Sequence, residues 1–335
     1  MNMMTPVSGE GGNVYLNSYL APFEAWLAAD DVTEILVNHP QEVWVERMGA
    51  DEMERHDAPT IDAQLLERLA QQVARISHQG INRESPLLAA ILPGGARIQI
   101  VLPPATRGSV AIAIRKHVLH DMTVDGYLAQ CRKVSFNGAD GAARSSQMSL
   151  SALLQQGDIS TFLKTAVAAR KTILLSGGTS SGKTTLLNAL LKEIPTNERV
   201  IAIEDTPEIK LGRDNAVGLV AVSGDQGEAR VTIEELMRAS LRMRPDRLIV
   251  GELRGAETVT FLRAINTGHP GSISTIHAST TEGAFEQLAL MCMQADLGLG
   301  RNETIEYAKS MIDIIVQLDR KNGQRSIADI QYKGD

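Results

Sequence analysis

Cysteine is almost absent from this chain. Of 335 residues only Cys131 and Cys292 carry a thiol, and they form no C-x-x-C pair. A disulfide framework and a cysteine-rich metal site are therefore both excluded. Aromatic residues are scarce, at 4%, and there is no basic excess: 33 Lys and Arg stand against 40 Asp and Glu, a net charge of -7. A surface devoted to nucleic acid needs a basic groove with aromatic platforms, so direct nucleic-acid binding is not expected. No apolar run approaches the roughly 18–20 residues that a membrane span requires. The opening MNMMTPVSGEGGN has neither a basic leader nor a hydrophobic stretch, so the expected location is the cytoplasm. No internal repeat points to a solenoid.

What is present is ordinary for a globular chain, with 43% hydrophobic and 22% charged residues, and the length favours two domains. In the first half a short helix is expected at 22–29 and strands at 34–37 and 42–46, with a turn at Asn38-His39-Pro40 between them. Leu65, Leu66, Leu69, Val73 and Ile76 recur at helical spacing over 62–77, with Thr60 and Asp62 as candidate caps. A hairpin follows, 87–92 and 97–102 around Pro93-Gly94-Gly95, and then a strand over 110–114. Between Lys133 and Ser149 the composition turns to Ser, Gly, Ala and Asn. This gives an N-terminal mixed α/β domain over 1–133, a linker over 134–150 and a second domain over 151–335. The second domain alternates short apolar strands (172–176, 200–203, 247–250, 272–276) with helices and ends in a hairpin over 311–331. That rhythm is α/β, a predominantly parallel sheet covered on both faces.

The strongest signal is Gly177-Gly178-Thr179-Ser180-Ser181-Gly182-Lys183-Thr184. It fits G-x-x-x-x-G-K-[ST] and stands between an apolar strand and a helix, the context in which that spacing cradles phosphate. Backbone N–H groups and the helix N-terminus face the anion. Lys183 reaches the β- and γ-phosphates, the Thr184 hydroxyl binds Mg²⁺, and Thr185 is placed for the α-phosphate. The implied ligands are ATP and Mg²⁺.

Two further apolar strands end in carboxylates: Ile201-Ala202-Ile203-Glu204-Asp205, and Leu248-Ile249-Val250-Gly251-Glu252. Ligands of open α/β sheets bind outside the carboxyl ends of the strands, so these positions suit metal binding and water activation. Glu204 is the first choice as general base, with Asp205 and Glu252 as candidate metal partners. The usual residue at the second site is Asp, so Glu252 is open to either role, metal coordination through water or polarisation of the nucleophile. His277 ends the following strand and is the candidate γ-phosphate sensor, while His269 precedes that strand. Arg97 and Arg115 are expected close together across the small sheet, where guanidinium forks suit phosphate. Arg238, Arg242 and Arg244 crowd one helix end, and Arg254 and Arg263 are further candidates.

Taken together, GGTSSGKTT, IAIEDTPE, RMRPDRLIVGELRG and TGHPGSISTIHA resemble the Walker A, Asp box, Walker B and His box of the type II/type IV secretion ATPase superfamily. PGGARIQIVLPP and IAIRK resemble the N-terminal domain of its type IV secretion traffic ATPase branch. The resemblance implies a RecA-like P-loop C-terminal domain in a homohexameric ring, with Arg97 and Arg115 reaching the nucleotide from the N-terminal domain. Glu204, Glu252, His269 and His277 match active-site positions of that family. Implied partners are a coupling protein, a second secretion ATPase and inner-membrane channel components, with peripheral attachment to the cytoplasmic face of the inner membrane. Two cysteines cannot build the four-cysteine zinc module common in type II secretion and pilus-extension relatives. Pilus-retraction and type II-like motors, and a DNA-translocating RecA-like ATPase, are the competing readings.

Overall fold

Alternating apolar residues in the first part of the chain build an antiparallel sheet, not a set of isolated hairpins. The computed structural model describes residues 10–50, 52–116, 122–131, 149–222, 230–295, 300–321 and 323–334. Helix α1 (Glu10–Leu20) leads through a single 3₁₀ turn at Ala21–Phe23 into α2 (Glu24–Leu27), so the helical stretch begins well before the expected residue 22. Strands β1 (Val32–Val37), β2 (Glu42–Arg47) and β3 (Glu54–Asp57) precede α3 (Ala63–Ile76), and β4 (Leu87–Ile91), β5 (Arg97–Val101) and β6 (Ala111–Arg115) follow it. They form one six-stranded sheet in the order β3-β2-β1-β6-β5-β4, antiparallel at every junction. Ile35, Val43, Val45, Ile98, Ile100, Ile112 and Ile114 point to one face and bury against Leu66, Leu69 and Val73 of α3. Asp62 caps α3, its carboxylate accepting from the Leu65 N–H at 2.8 Å.

The second unit holds α4 (Val124–Gln130), α5 (Leu150–Gln155), α6 (Ile159–Ala168), β7 (Ile173–Gly177), α7 (Lys183–Leu191), β8 (Val200–Glu204) and β9 (Ala216–Val220). It continues with α8 (Ile233–Ser240), β10 (Arg247–Leu253), α9 (Glu257–Asn266), β11 (Ile273–Ile276), α10 (Thr281–Gln294), α11 (Arg301–Met311), β12 (Ile314–Lys321) and β13 (Gln324–Tyr332). The sheet order is β13-β12-β7-β11-β10-β8-β9, parallel except for the terminal β12–β13 hairpin. Period-two alternation splits its side chains between two cores. Ile173, Leu175, Ala202 and Ile249 face α4–α7. Leu174, Ile201, Ile203, Leu248 and Val250 face α8–α11.

One boundary differs from the sequence expectation. Val124 and Tyr127 of α4 bury in the same core as Phe162 and Leu186, so α4 belongs to the second unit and the first unit ends before it, not at 133. Apolar packing decides membership here, and the composition of 122–131 carries no mark of it. The expected linker lies outside the described residues up to 148. No helix among the described residues is long and apolar enough to cross a membrane.

Candidate nucleotide site

Because β7, β8, β10 and β11 are parallel, the loops that follow them emerge along one edge of the sheet. The phosphate loop follows β7. Gly182 takes φ +96° at the N-cap of α7, a backbone conformation that L side chains rarely adopt. A Cβ there would meet the Tyr127 hydroxyl at 2.9 Å and the Arg325 side chain at 3.0 Å. Gly177 is pressed against β12, where a Cβ would stand 2.7 Å from the Leu318 carbonyl oxygen and 2.5 Å from Ser181 Oγ. The Ser181 hydroxyl donates to the Gly178 carbonyl at 2.9 Å and tightens the loop. Lys183, 8% exposed, turns its ammonium back onto the loop and donates to the carbonyls of Gly177 (2.7 Å) and Gly178 (2.9 Å). Thr184 is half-buried and Thr185 buried on the first turn of α7, while Gly178 and Thr179 are exposed and Ser180 half-buried at the tip of the loop.

Glu204 ends β8 and is 5% exposed. Its Oε2 accepts from the N–H groups of Glu208 (2.7 Å) and Ile209 (3.0 Å), fixing the segment after the strand. Asn188 of α7 clamps the same segment, accepting from the Lys210 N–H at 2.8 Å and donating to the Glu208 carbonyl at 3.1 Å. Burial pushes the Glu204 carboxyl up to about 7 despite the two backbone donors.

On β10 the register to β11 shifts between Val250 and Leu253, leaving one extra residue on β10. Such a bulge re-aims side chains, and here it contains Gly251 and Glu252. The Thr275 hydroxyl pins it through the Gly251 carbonyl at 2.7 Å. A Cβ on Gly251 would stand 3.1 Å from the Cβ of Glu204, so the glycine lets the two strand ends approach. Glu252 Oε1 lies 2.8 Å from His277 Nε2, bringing the carboxylate in the β10 bulge and the histidine at the end of β11 together. Arg254, two residues on, donates from Nε to Glu252 Oε2 at 2.6 Å and from Nη1 to Asp205 Oδ2 at 2.6 Å.

Glu204, Asp205, Glu252, His277 and the phosphate loop thus share one edge. His269 does not join them. It precedes β11, at the amino end of the strand, with its Nδ1 3.1 Å from the Pro245 carbonyl oxygen. Arg97 and Arg115 are directly opposed on β5 and β6 of the first unit, with Arg115 Nε 3.8 Å from Glu34 Oε1. Arg238 pairs with Glu234 one helical turn away.

Thr184, Asp205 and Glu252 offer the oxygen donors that a hard divalent cation takes. Among the described residues no group of three His, Cys, Asp or Glu side chains could hold a metal by itself. Magnesium characteristically takes one or two protein ligands, with phosphates and water completing the shell. Sequence reasoning missed the bridging role of Arg254 and the contacts of Tyr127 and Arg325 against Gly182, all of which depend on residues distant in the chain. It also missed the fully buried Arg247, which forks onto Glu198 at 2.5 and 3.1 Å.

Residues 18–329 match the family described as Type II/IV secretion system protein. The chain is 40% identical over 327 residues to the type IV secretion system protein VirB11 of Bartonella quintana (strain Toulouse), covering 93% of this chain and 91% of that protein. It is 39% identical over 323 residues to the type IV secretion system protein PtlH of Bordetella pertussis (strain Tohama I), covering 94% of each. Among solved structures, it is similar to the VirB11 ATPase from the Brucella suis type IV secretion system in complex with sulphate, with 36% identity, a TM-score of 0.51 and coverage of 95% and 97%. The Legionella pneumophila ATPase DotB shares the fold at 17% identity, with a TM-score of 0.58 over 96% of this chain and 81% of that one.

Proposed function

Because the chain belongs to the type II/IV secretion system protein family, we propose that it is a homohexameric, Mg²⁺-dependent motor that powers substrate transfer or pilus assembly. The chain is a P-loop enzyme that hydrolyses ATP, and its fold joins a RecA-like nucleotide-binding unit to a smaller N-terminal α/β unit. Its place is with a type IV secretion apparatus. The partners we assign are a coupling protein, a second secretion ATPase and inner-membrane channel components, with peripheral attachment to the cytoplasmic face of the inner membrane.

The observation that carries the reading is the convergence of the phosphate loop, Glu204 and the Glu252–His277 pair on one edge of a parallel sheet. In the proposed cycle Lys183 exchanges the carbonyls of Gly177 and Gly178 for β- and γ-phosphate oxygens. Thr184, Glu252 and Asp205 would hold magnesium, which would supply positive charge to the phosphates when bound. Glu204 orients the attacking water and accepts its proton. His277, linked to Glu252, reports the presence of the γ-phosphate. Arg97 and Arg115, register partners on β5 and β6, are assigned as additional phosphate contacts, since guanidinium forks suit phosphate.

Phosphate release by the purified full-length chain tests this reading. Lys183→Ala is expected to abolish turnover by removing the cationic clamp. ATP is expected to raise the particle mass to that of six chains. Wild-type turnover in the Lys183 variant, or a monomer at every nucleotide condition, overturns the corresponding part.

A further inference from the structure

One guanidinium holds both candidate metal partners. Arg254 forks across the ends of two adjacent strands, donating from Nε to Glu252 on β10 and from Nη1 to Asp205 after β8, each at 2.6 Å, while Nη2 also contacts Glu252 Oε2. The other Glu252 oxygen lies 2.8 Å from His277 Nε2, outside hydrogen-bond geometry. One guanidinium therefore holds one oxygen of Glu252 and one of Asp205, while the second Glu252 oxygen is buried and accepts no hydrogen bond.

The root of the Arg254 side chain is fixed. The backbone N–H groups of Arg254 and Gly255 donate to the carboxylate of Glu257, which is 7% exposed, at 2.6 and 2.8 Å. The side chain is 52% exposed, so it has room to leave without disturbing a core. Its charge is placed where a divalent cation's charge would act on the same carboxylates, and it brings one positive charge where the cation brings two.

Resting on the nucleotide-site reading above, we propose that Arg254 is an electrostatic latch: it offsets half the charge of Asp205 and Glu252 in the nucleotide-free protein and keeps free divalent cations out. A cation arriving with a triphosphate carries additional anionic ligands, and the combined set displaces the guanidinium. Metal entry is thereby coupled to nucleotide entry, and the carboxylates are released for work only when a substrate is present. Arg254 acts through Glu252 and Asp205 and is a positioning residue.

The test is Mn²⁺ binding to the full-length, nucleotide-free protein, followed by the paramagnetic signal of the free ion, with ATP binding in EDTA measured alongside. Arg254→Ala is expected to bind Mn²⁺ at least tenfold more tightly than wild type. The double variant Arg254→Ala/Glu252→Gln is expected to lose that gain, and Arg254→Lys to fall between, since a single ammonium cannot fork across two carboxylates. Equal Mn²⁺ affinity in wild type and Arg254→Ala, with both variants retaining the wild-type melting profile, overturns the latch. A gain that survives Glu252→Gln overturns it as well. Failure of the wild type to bind ATP in EDTA would instead overturn the nucleotide-site reading, so the two failures are distinct.

Discussion

Gly177 offers a direct measure of how tightly the phosphate loop is built against its sheet. A Cβ at this position would stand 2.5 Å from Ser181 Oγ, 2.7 Å from the Leu318 carbonyl oxygen and 3.2 Å from Leu318 Cβ. Ser181 can rotate away only by giving up its hydrogen bond to Gly178, worth about 1 kcal/mol. The Leu318 carbonyl cannot rotate. It belongs to β12, which is in parallel register with β7 at this residue, so relief requires opening the ladder. Overpacking of this kind costs about 1–3 kcal/mol. Gly177→Ala is therefore expected to destabilise the nucleotide-free protein by about 2–4 kcal/mol. At Gly178 next door a Cβ would meet nothing within 4 Å, and Gly178→Ala is expected to change stability by less than about 0.5 kcal/mol. Urea unfolding without nucleotide reads both variants. Titration with a fluorescent ATP analogue is expected to show at least tenfold weaker binding for Gly177→Ala, because Lys183 takes its anchor from the Gly177 carbonyl. Equal stability of the two variants would refute the reasoning, since it would mean that the loop gives way freely against β12.

Two further substitutions probe the charged interior. Glu198→Ala strips the counter-charge from Arg247, which is 0% exposed, and is expected to destabilise by about 3–5 kcal/mol in thermal or chemical unfolding. The Arg247 guanidinium holds the Glu198 carboxyl below its ordinary 4.5. The wild-type stabilisation is thus present above pH 4.5 and lost as pH falls through the depressed value, a dependence the variant should lack. Glu204 behaves with opposite sign: its carboxyl titrates near 7 in the folded chain against 4.5 unfolded, so the folded state holds the proton more tightly and stability falls as pH rises from 4.5 to 7. Glu204→Gln should remove that pH dependence of melting, keep nucleotide binding, and lower turnover by about 10²–10⁴-fold.

How much of this was legible in the sequence depends on how local each feature is. The phosphate loop is encoded by consecutive residues between a strand and a helix, and the carboxylates announce themselves as polar ends of apolar strands. Strand order is different. Nothing near Ile273–Ile276 says that β11 inserts between β7 and β10, yet that insertion brings His277 to Glu252 and gives the bulge its partner. Strand β3, Glu-Arg-His-Asp, has no apolar alternation at all and is held to β2 by its ladder and by Arg55–Glu42. Strand β9 carries Gly218 and lies at the sheet edge, where burial leaves little pattern. His269 before β11 and His277 at its end are already distinguishable in sequence, and the strand direction carries His269 to the opposite edge, against the Pro245 carbonyl.

The seat of β7 between β11 and β12 has a consequence for how the protein comes to exist. The phosphate loop is complete in sequence by Thr184, but one wall is the Leu318 carbonyl, more than a hundred residues later on the chain. During synthesis the motif leaves the ribosome long before that wall does. A nascent chain displaying the entire glycine loop lacks the surface that shapes it, so nucleotide capture is expected to wait until β12 has been made and docked. The binding site is thus expected to be among the last parts of this protein to mature, although the residues that name it are near the middle.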